Sequence, residues 1–301
     1  MSWIGCQITI GKAWIVASIK AERISDLRDL TIKIRSHNLV SIKELRSYLG
    51  KAANFAQLLF SWRPFVHELW SALTTDPSRS GVAHNCVWVR QIDATLRWIL
   101  AFLDAERGSI IRVFALQAFR GRGTTVRIST DACPWGIGGV IYVDGAPTAY
   151  FSSALAPEDF ARFGYEEGNP AGQQCWEALA VLVAMRLWSC HWRRVRIILE
   201  VRADNITALT MLTSQRGRGT TLTLINRELA LYLGSGVFRP QICSHSPGVA
   251  HKVADTLSRR FCPNYTYRLP VSLSGVQENL VPARDSAYFR TLDRSAEQNG
   301  S

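Results

Sequence analysis

The feature that most constrains this chain is a change of hydrophobic period near residue 125. Before it, apolar residues recur at helical spacing. Ile24, Leu27, Leu30 and Ile34 do so within residues 20–36, and Leu45, Leu49, Ala52 and Ala56 between Ile42 and Phe60. Trp88, Ile92, Leu96 and Ile99 do so within Val87–Asp104. After it, short alternating or β-branched runs predict strands at Val126–Thr130, Gly138–Val143, Thr148–Ser153, Val195–Val201 and Val237–Ser244. Helices are expected at Gln173–Cys190, Asn205–Leu212, Leu222–Leu233 and His251–Arg259. The order β-β-β-α-β-α-α-β-α implies an α/β fold with a mixed five-stranded sheet flanked by helices, preceded by a small, mainly helical region.

Local chemistry sets several boundaries. Ser41 with Glu44 three residues on makes a capping box, and Pro64 can open a short helix through Leu73. Asp144-Gly145 predicts a tight turn between two strands, and residues 156–172 read as a polar loop. At the start, residues 3–10 and Ala13–Val16 form a hairpin around Gly11-Lys12. A lone hairpin is marginal in water, so the chain is expected to begin inside a larger domain. Residues 75–85 and Arg120-Gly121-Arg122-Gly123 read as linkers. The division expected is therefore a hairpin and helical region at 1–74, a linker with one helix at 75–124, the α/β domain at 125–260 and an irregular tail at 261–301.

Charge bears on partners. The chain of 301 residues carries a net +11, which favours a polyanion, nucleic acid being the commonest. Seven scattered cysteines with no CxxC pair argue against a zinc site. With no secretory signal they imply reduced thiols and an intracellular setting, cytoplasm or nucleus. No apolar run approaches the roughly 20 residues that span a bilayer, so no membrane partner is expected.

Four acids stand at telling places: Asp131 at the end of the first α/β strand, Glu177 in the first turns of the long helix, Asp204 at the end of the central strand, and Asp255 in the last helix. Singly each has a plain explanation. An Asp after a strand commonly forms a turn, and Asp255 has Arg259 four residues on as a partner. As a set, acids in a basic chain suit hard cations. Hydrolysis of a phosphodiester needs an activated water and a stabilised leaving oxygen, which two Mg²⁺ ions supply.

The order and context of these residues carry a resemblance. Ser129-Thr130-Asp131-Ala132 with Gly136-Ile137-Gly138-Gly139-Val140, Glu177-Ala178-Leu179-Ala180 and Ala203-Asp204-Asn205 resemble segments of the RNase H domain of retrotransposon reverse transcriptases. So do His245-Ser246-Pro247-Gly248 and Val253-Ala254-Asp255-Thr256-Leu257-Ser258-Arg259, with His245 ten residues before Asp255. Trp3-Ile4-Gly5 resembles the primer-gripping hairpin, and Leu45–Lys51 the thumb. The resemblance covers roughly residues 1–260 and is nearest to DIRS-like or pararetroviral elements. Two departures stand out. Cys133 replaces the family's usual Ser, and His251 its usual Asn before the last helix, which would loosen that helix's cap.

The resemblance implies an RNase H-like fold and endonucleolytic cleavage of the RNA strand of an RNA–DNA hybrid. Asp131, Glu177, Asp204 and Asp255 would hold two Mg²⁺ (or Mn²⁺) ions, with Asp131 bridging them. His245, on a mobile loop, would aid proton transfer or product release. Arg120, Arg122, Arg216 and Arg218, with Arg193 and Arg194, are candidates for phosphate contacts. The polymerase's Tyr-x-Asp-Asp motif is absent from the sequence, so polymerisation is not expected, and a polymerase portion is an expected partner. The competing reading is a catalytically inactive nucleic-acid-binding remnant of a retroelement polyprotein. A further one, another RNase H-like exonuclease or transposase, fits the His-x-Pro-Gly motif and the thumb-like segment less well.

Overall fold

A computed structural model describes residues 2–3, 6–74, 85–104, 110–116, 123–192, 197–203, 209–210, 220–235, 242–245 and 251–289. Two compact units divide the chain, Met1–Leu116 with Ala230–Ser235 and Gln117–Leu229 with Gly236–Ser301. Among the described residues no helix is long and apolar enough to cross a membrane.

In the first unit, β1 (Ser2–Trp3), β2 (Cys6–Ile10) and β3 (Trp14–Ile19) pair antiparallel in sequence. The hairpin does not stand alone. Residues Ile111–Ala115 form β6 and extend the sheet in the order β1-β2-β3-β6. Helix α1 (Ala21–Arg35) follows, then β4 (Leu39–Ser41) and α2 (Ile42–Leu58). The capping box is present: Glu44 N–H donates to Ser41 Oγ at 3.2 Å, and the Glu44 carboxylate accepts from Ser41. Replacing Ser41 with alanine should lower unfolding free energy by about 1 kcal/mol in a urea titration.

Helix α3 (Arg63–Thr74), β5 (Cys86–Trp88, paired to β4) and α4 (Val89–Leu103) complete this unit. Sequence placed α4 in a linker region. Instead it buries Ile92, Leu96, Ile99 and Phe102 in the same core as Leu27, Leu45 and Leu49. Phe102 and Trp98 join an aromatic cluster with Trp62 and Phe65, ring centroids 5.4–5.8 Å apart.

The second unit is built on β7 (Thr124–Cys133), β8 (Gly136–Val143) and β9 (Ala146–Ala154), an antiparallel meander. Asp144 and Gly145 turn between β8 and β9 with φ of 49° and 88°, the left-handed pair that a tight hairpin requires. Then come α5 (Pro157–Phe163), α6 (Gln173–Leu187), β10 (Ile197–Ala203), α7 (Thr220–Ser235, its residues from Ala230 on assigned to the first unit), β11 (Ile242–His245) and α8 (Lys252–Ser258). Strand β10 runs parallel to β7 and β11 parallel to β10. The five expected strands thus form a mixed sheet flanked by helices, the α/β, RNase H-like architecture the resemblance implies.

Consecutive strand residues face opposite sides of a sheet, and β8 shows what covers each side. A Cβ on Gly138 would lie 2.6 Å from Leu257 Cβ and the Ser258 nitrogen of α8. One on Gly139 would meet the Phe151 ring, which packs against Trp188 just beyond α6. So α8 lies on one face and the end of α6 on the other. Helix α6 is apolar nearly all round, with every residue from Cys175 to Met185 buried, as a helix enclosed by protein must be. Gly138→Ala should push α8 off the sheet, lowering stability by about 1–3 kcal/mol in urea unfolding.

Residues 156–172 are not simply a loop: Pro157 opens α5, and the Ala156 N–H donates to Asp159 Oδ2 at 2.9 Å. Seven residues are too few to show a period, so the helix was invisible as a pattern.

The segment after 260 was expected to be an irregular tail. It has little regular structure, but through residue 289 it is docked. Gln277–Glu278 form β12, parallel to β9. Leu273 packs with Val140, Tyr150 and Leu257, and Phe289 is fully buried with its ring edge-on to Phe163. Arg284 is buried too, reaching Asp159, Ser153 Oγ and the Ala154 carbonyl. Polar composition concealed this docking, because the anchors are single residues spaced along the coil.

Candidate active site

Asp131 lies near the end of β7, opposite Gly138 on β8, and is only 7% exposed. It faces α8. The Ser258 hydroxyl donates to Asp131 Oδ2 at 2.6 Å, fixing the carboxylate's orientation. One residue earlier, the Thr130 carbonyl lies 2.7 Å from His251 Nε2, so a ring N–H in that tautomer ties β7 to the start of α8. His251 makes no side-chain cap to its own helix, as its replacement of Asn predicted. The ring spans to the sheet instead.

Glu177, in the second turn of α6, is buried. Its Oε1 accepts from the Ala132 N–H at 3.3 Å and from Gln173 Nε2 at 2.9 Å. The same Gln173 amide donates to the Ala132 carbonyl at 2.6 Å. Gln173, one turn before Glu177, therefore bonds both the Ala132 carbonyl and the acid that takes the Ala132 N–H, and so holds Glu177 beside Asp131's neighbour.

Asp255 sits on α8 with about 40% of its side chain exposed, and its Oδ1 meets Arg259 Nε at 2.6 Å. This is the pairing expected from spacing alone. Exposed pairs of this kind contribute little, about 0–1 kcal/mol. Asp255 and Asp131 are close enough to influence each other. Burial pushes the Asp131 carboxyl up to about 6; the Ser258 hydrogen bond opposes that, and the charge of Asp255 adds to it.

Asp204 lies outside the described residues, but β10 ends one residue before it, in register Ala203↔Thr130, where Thr130 directly precedes Asp131. His245 was expected on a mobile loop. It is the last residue of β11, in register with Ala203, because the run Ile242–His245 completes a parallel ladder. Arg120, Arg122, Arg193, Arg194, Arg216 and Arg218 lie outside the described residues.

The donor chemistry suits a hard cation, since the acids are oxygen ligands and the crowding of Asp131 by Asp255 is what a cation relieves. Among the described residues, however, no group of three His, Cys, Asp or Glu side chains could hold an ion. Sequence reasoning missed Ser258, His251 and Gln173. Ser258 and Gln173 are ordinary polar helix residues in the sequence. The departure from Asn at 251 was the one available signal.

No family model matches the sequence, and no curated protein matches it. Among solved structures, similarity is found to RNase H1 from the halophilic archaeon Halobacterium salinarum NRC-1, at 19% identity and a TM-score of 0.30. That match covers 46% of this chain and 94% of that one. The foamy viral protease-reverse transcriptase in complex with RNA/DNA hybrid matches at 16% identity with a TM-score of 0.28, over 91% of this chain and 32% of the viral one. The same viral protein in complex with dsDNA matches at 17% identity and 0.26, over 79% of this chain and 44% of that chain. This chain thus spans less than half the length of the foamy viral chains.

Proposed function

We propose that the second unit hydrolyses the RNA strand of an RNA–DNA hybrid. The observation that carries this reading is the setting of Asp131: a buried strand carboxylate, oriented by Ser258, crowded by Asp255 and one residue from the peptide that Glu177 grips. The implied cofactor is a pair of Mg²⁺ ions (Mn²⁺ the alternative), which Asp131, Glu177, Asp204 and Asp255 would hold and which would supply an activated water and a stabilised leaving oxygen.

The protein's own residues contribute position. Ser258 and His251 fix β7 against α8, so Asp131 and Asp255 keep their spacing; Gln173 does the same for Glu177. Asp255 would exchange Arg259 for a cation, a small loss given how exposed that pair is. Recognition of the hybrid would rest on groove shape and 2′-hydroxyls, with the excess positive charge holding the backbone. In this reading the first unit is the grip and thumb-like part of a DIRS-like or pararetrovirus-like reverse transcriptase, with a polymerase portion as partner.

A second reading, nucleic-acid binding without cleavage, is favoured by the Asp255–Arg259 ion pair, which already occupies one of the four acids. Labelled RNA–DNA hybrid with Mg²⁺ separates the two. Cleavage by the wild type, reduced on the order of 10³-fold in Asp131→Asn, supports the nuclease. Hybrid binding without cleavage by the wild type rejects it.

A further inference from the structure

Cys133 and Cys262 meet across the sheet and the turn that follows α8. Their sulfurs are 3.3 Å apart, although the residues are 129 positions apart in the chain. Cys133 is buried on β7, two residues after Asp131, and its thiol also donates to the Ser258 carbonyl at 3.1 Å. Cys262 is partly exposed, directly after the short helical turn Arg259–Phe261. Cys133 is the residue that stands where the resembling family has Ser, so the pair exists only because of that departure.

We infer that Cys133 and Cys262 are a redox pair that hydrogen peroxide converts to a disulfide, restraining the helix that carries Asp255 against the strand that carries Asp131. The accessible Cys262 sulfur attacks the peroxide oxygen, giving a sulfenic acid and one water. Cys133 sulfur then displaces the hydroxyl, which leaves with the thiol proton as a second water. Two thiols lose two protons and two electrons, and one hydrogen peroxide is reduced to two waters.

The closure required is short. A disulfide places sulfurs at about 2.05 Å, so the two must approach by a little over 1 Å. The body of α8 cannot supply that movement, because a Cβ at Gly138 would already lie 2.6 Å from the Ser258 nitrogen, and one at Gly136 equally close to its carbonyl. The shift therefore falls on the segment from Ser258 to Cys262. It also removes the thiol hydrogen bond to the Ser258 carbonyl. Ser258 is the residue that orients Asp131, so the bond acts on the candidate site. That consequence, unlike the bond itself, rests on the proposed hydrolytic function.

The test uses the whole chain in EDTA, treated with hydrogen peroxide, alkylated and digested without reduction. The expected product is a Cys133–Cys262 linked peptide, two hydrogens lighter than the sum, reversed by dithiothreitol and missing in Cys262→Ser. The melting temperature of the oxidised chain should rise by roughly 5–10 °C. Oxidation of Cys262 to a sulfinic acid while Cys133 stays free to alkylate, or pairing only with other cysteines, overturns the proposal. Hybrid cleavage with Mg²⁺ should then fall on the order of tenfold after oxidation, while Cys262→Ser is insensitive to peroxide. Equal cleavage by oxidised and reduced chains overturns the effect on the site. A linked peptide in a chain that cleaves nothing when reduced upholds the redox pair and rejects the proposed function instead.

Discussion

Replacing Arg284 with methionine should lower the unfolding free energy of the second unit by about 3–5 kcal/mol. The guanidinium is 4% exposed and the Asp159 carboxylate not at all. Arg284 Nε and Nη2 approach Asp159 Oδ2 at 2.9 and 2.7 Å, Nη1 reaches Ser153 Oγ at 3.0 Å, and Nη2 donates to the Ala154 carbonyl at 2.6 Å. Truncating one partner of such a pair leaves the other charge buried and uncompensated. Among the described residues, Asp159 would keep only the Ala156 N–H as a donor to its carboxylate.

The geometry is a planar fork, so Arg284→Lys should recover little. Melting temperature is the simplest readout, and for a unit of this size a drop of roughly 8–15 °C is expected. A double-mutant cycle with Asp159→Asn then separates the pair from its packing: the second substitution should cost far less once Arg284 is gone. A loss under 1 kcal/mol for Arg284→Met would mean that the segment after 260 does not hold this sheet edge. The segment's β12 covers β9, which would otherwise present an open edge.

Asp131→Asn should stabilise the metal-free protein even as it abolishes cleavage. Burial raises the folded carboxyl to about 6 from 3.8. Between those values the folded state keeps a proton that the unfolded state has released. The stability that Asp131 contributes is therefore greatest below about pH 4, falls as pH rises through 4 to 6, and is flat above. The full difference corresponds to about 3 kcal/mol, at about 1.4 kcal/mol per unit. Asparagine carries no charge and still accepts from Ser258. In EDTA the variant should match the wild type at pH 4 and exceed it by about 2–3 kcal/mol at pH 8, measured by urea unfolding. Adding Mg²⁺ should stabilise the wild type and leave the variant unmoved, because binding to the folded state alone shifts its equilibrium. A difference between variant and wild type that does not grow between pH 4 and 7 would show that Asp131 is not held in an unfavourable buried state.

These two residues also mark how far a linear reading reaches. Asp131 was found from sequence because strand, glycine pattern and acid are neighbours in the chain. Arg284 was not, because it is one arginine in a polar coil, and its partners Ser153, Ala154 and Asp159 lie more than 120 residues upstream. The same contrast holds elsewhere. The Ser41–Glu44 box and the Asp144-Gly145 turn are short-range chemistry and were read correctly. Strand β6 was missed because Ile111–Ala115 declares itself only by pairing with β3.

The sequence by itself determined the order of the five main strands of the α/β unit, the strand or helix on which each of Asp131, Glu177 and Asp255 sits, and the charge that favours a polyanion. Those follow from periodicity, turn residues and composition, all local or additive. Only the tertiary structure decided what holds the acids in place: Ser258 on Asp131, Gln173 on Glu177 and His251 on the Thr130 carbonyl. It also decided that Cys133 would face Cys262 and that the last described residues would close the sheet. The physical reason is that a hydrogen bond or buried ion pair depends on two groups meeting at about 3 Å. That meeting is set by the packing of helices on a sheet, and no spacing along the chain records it.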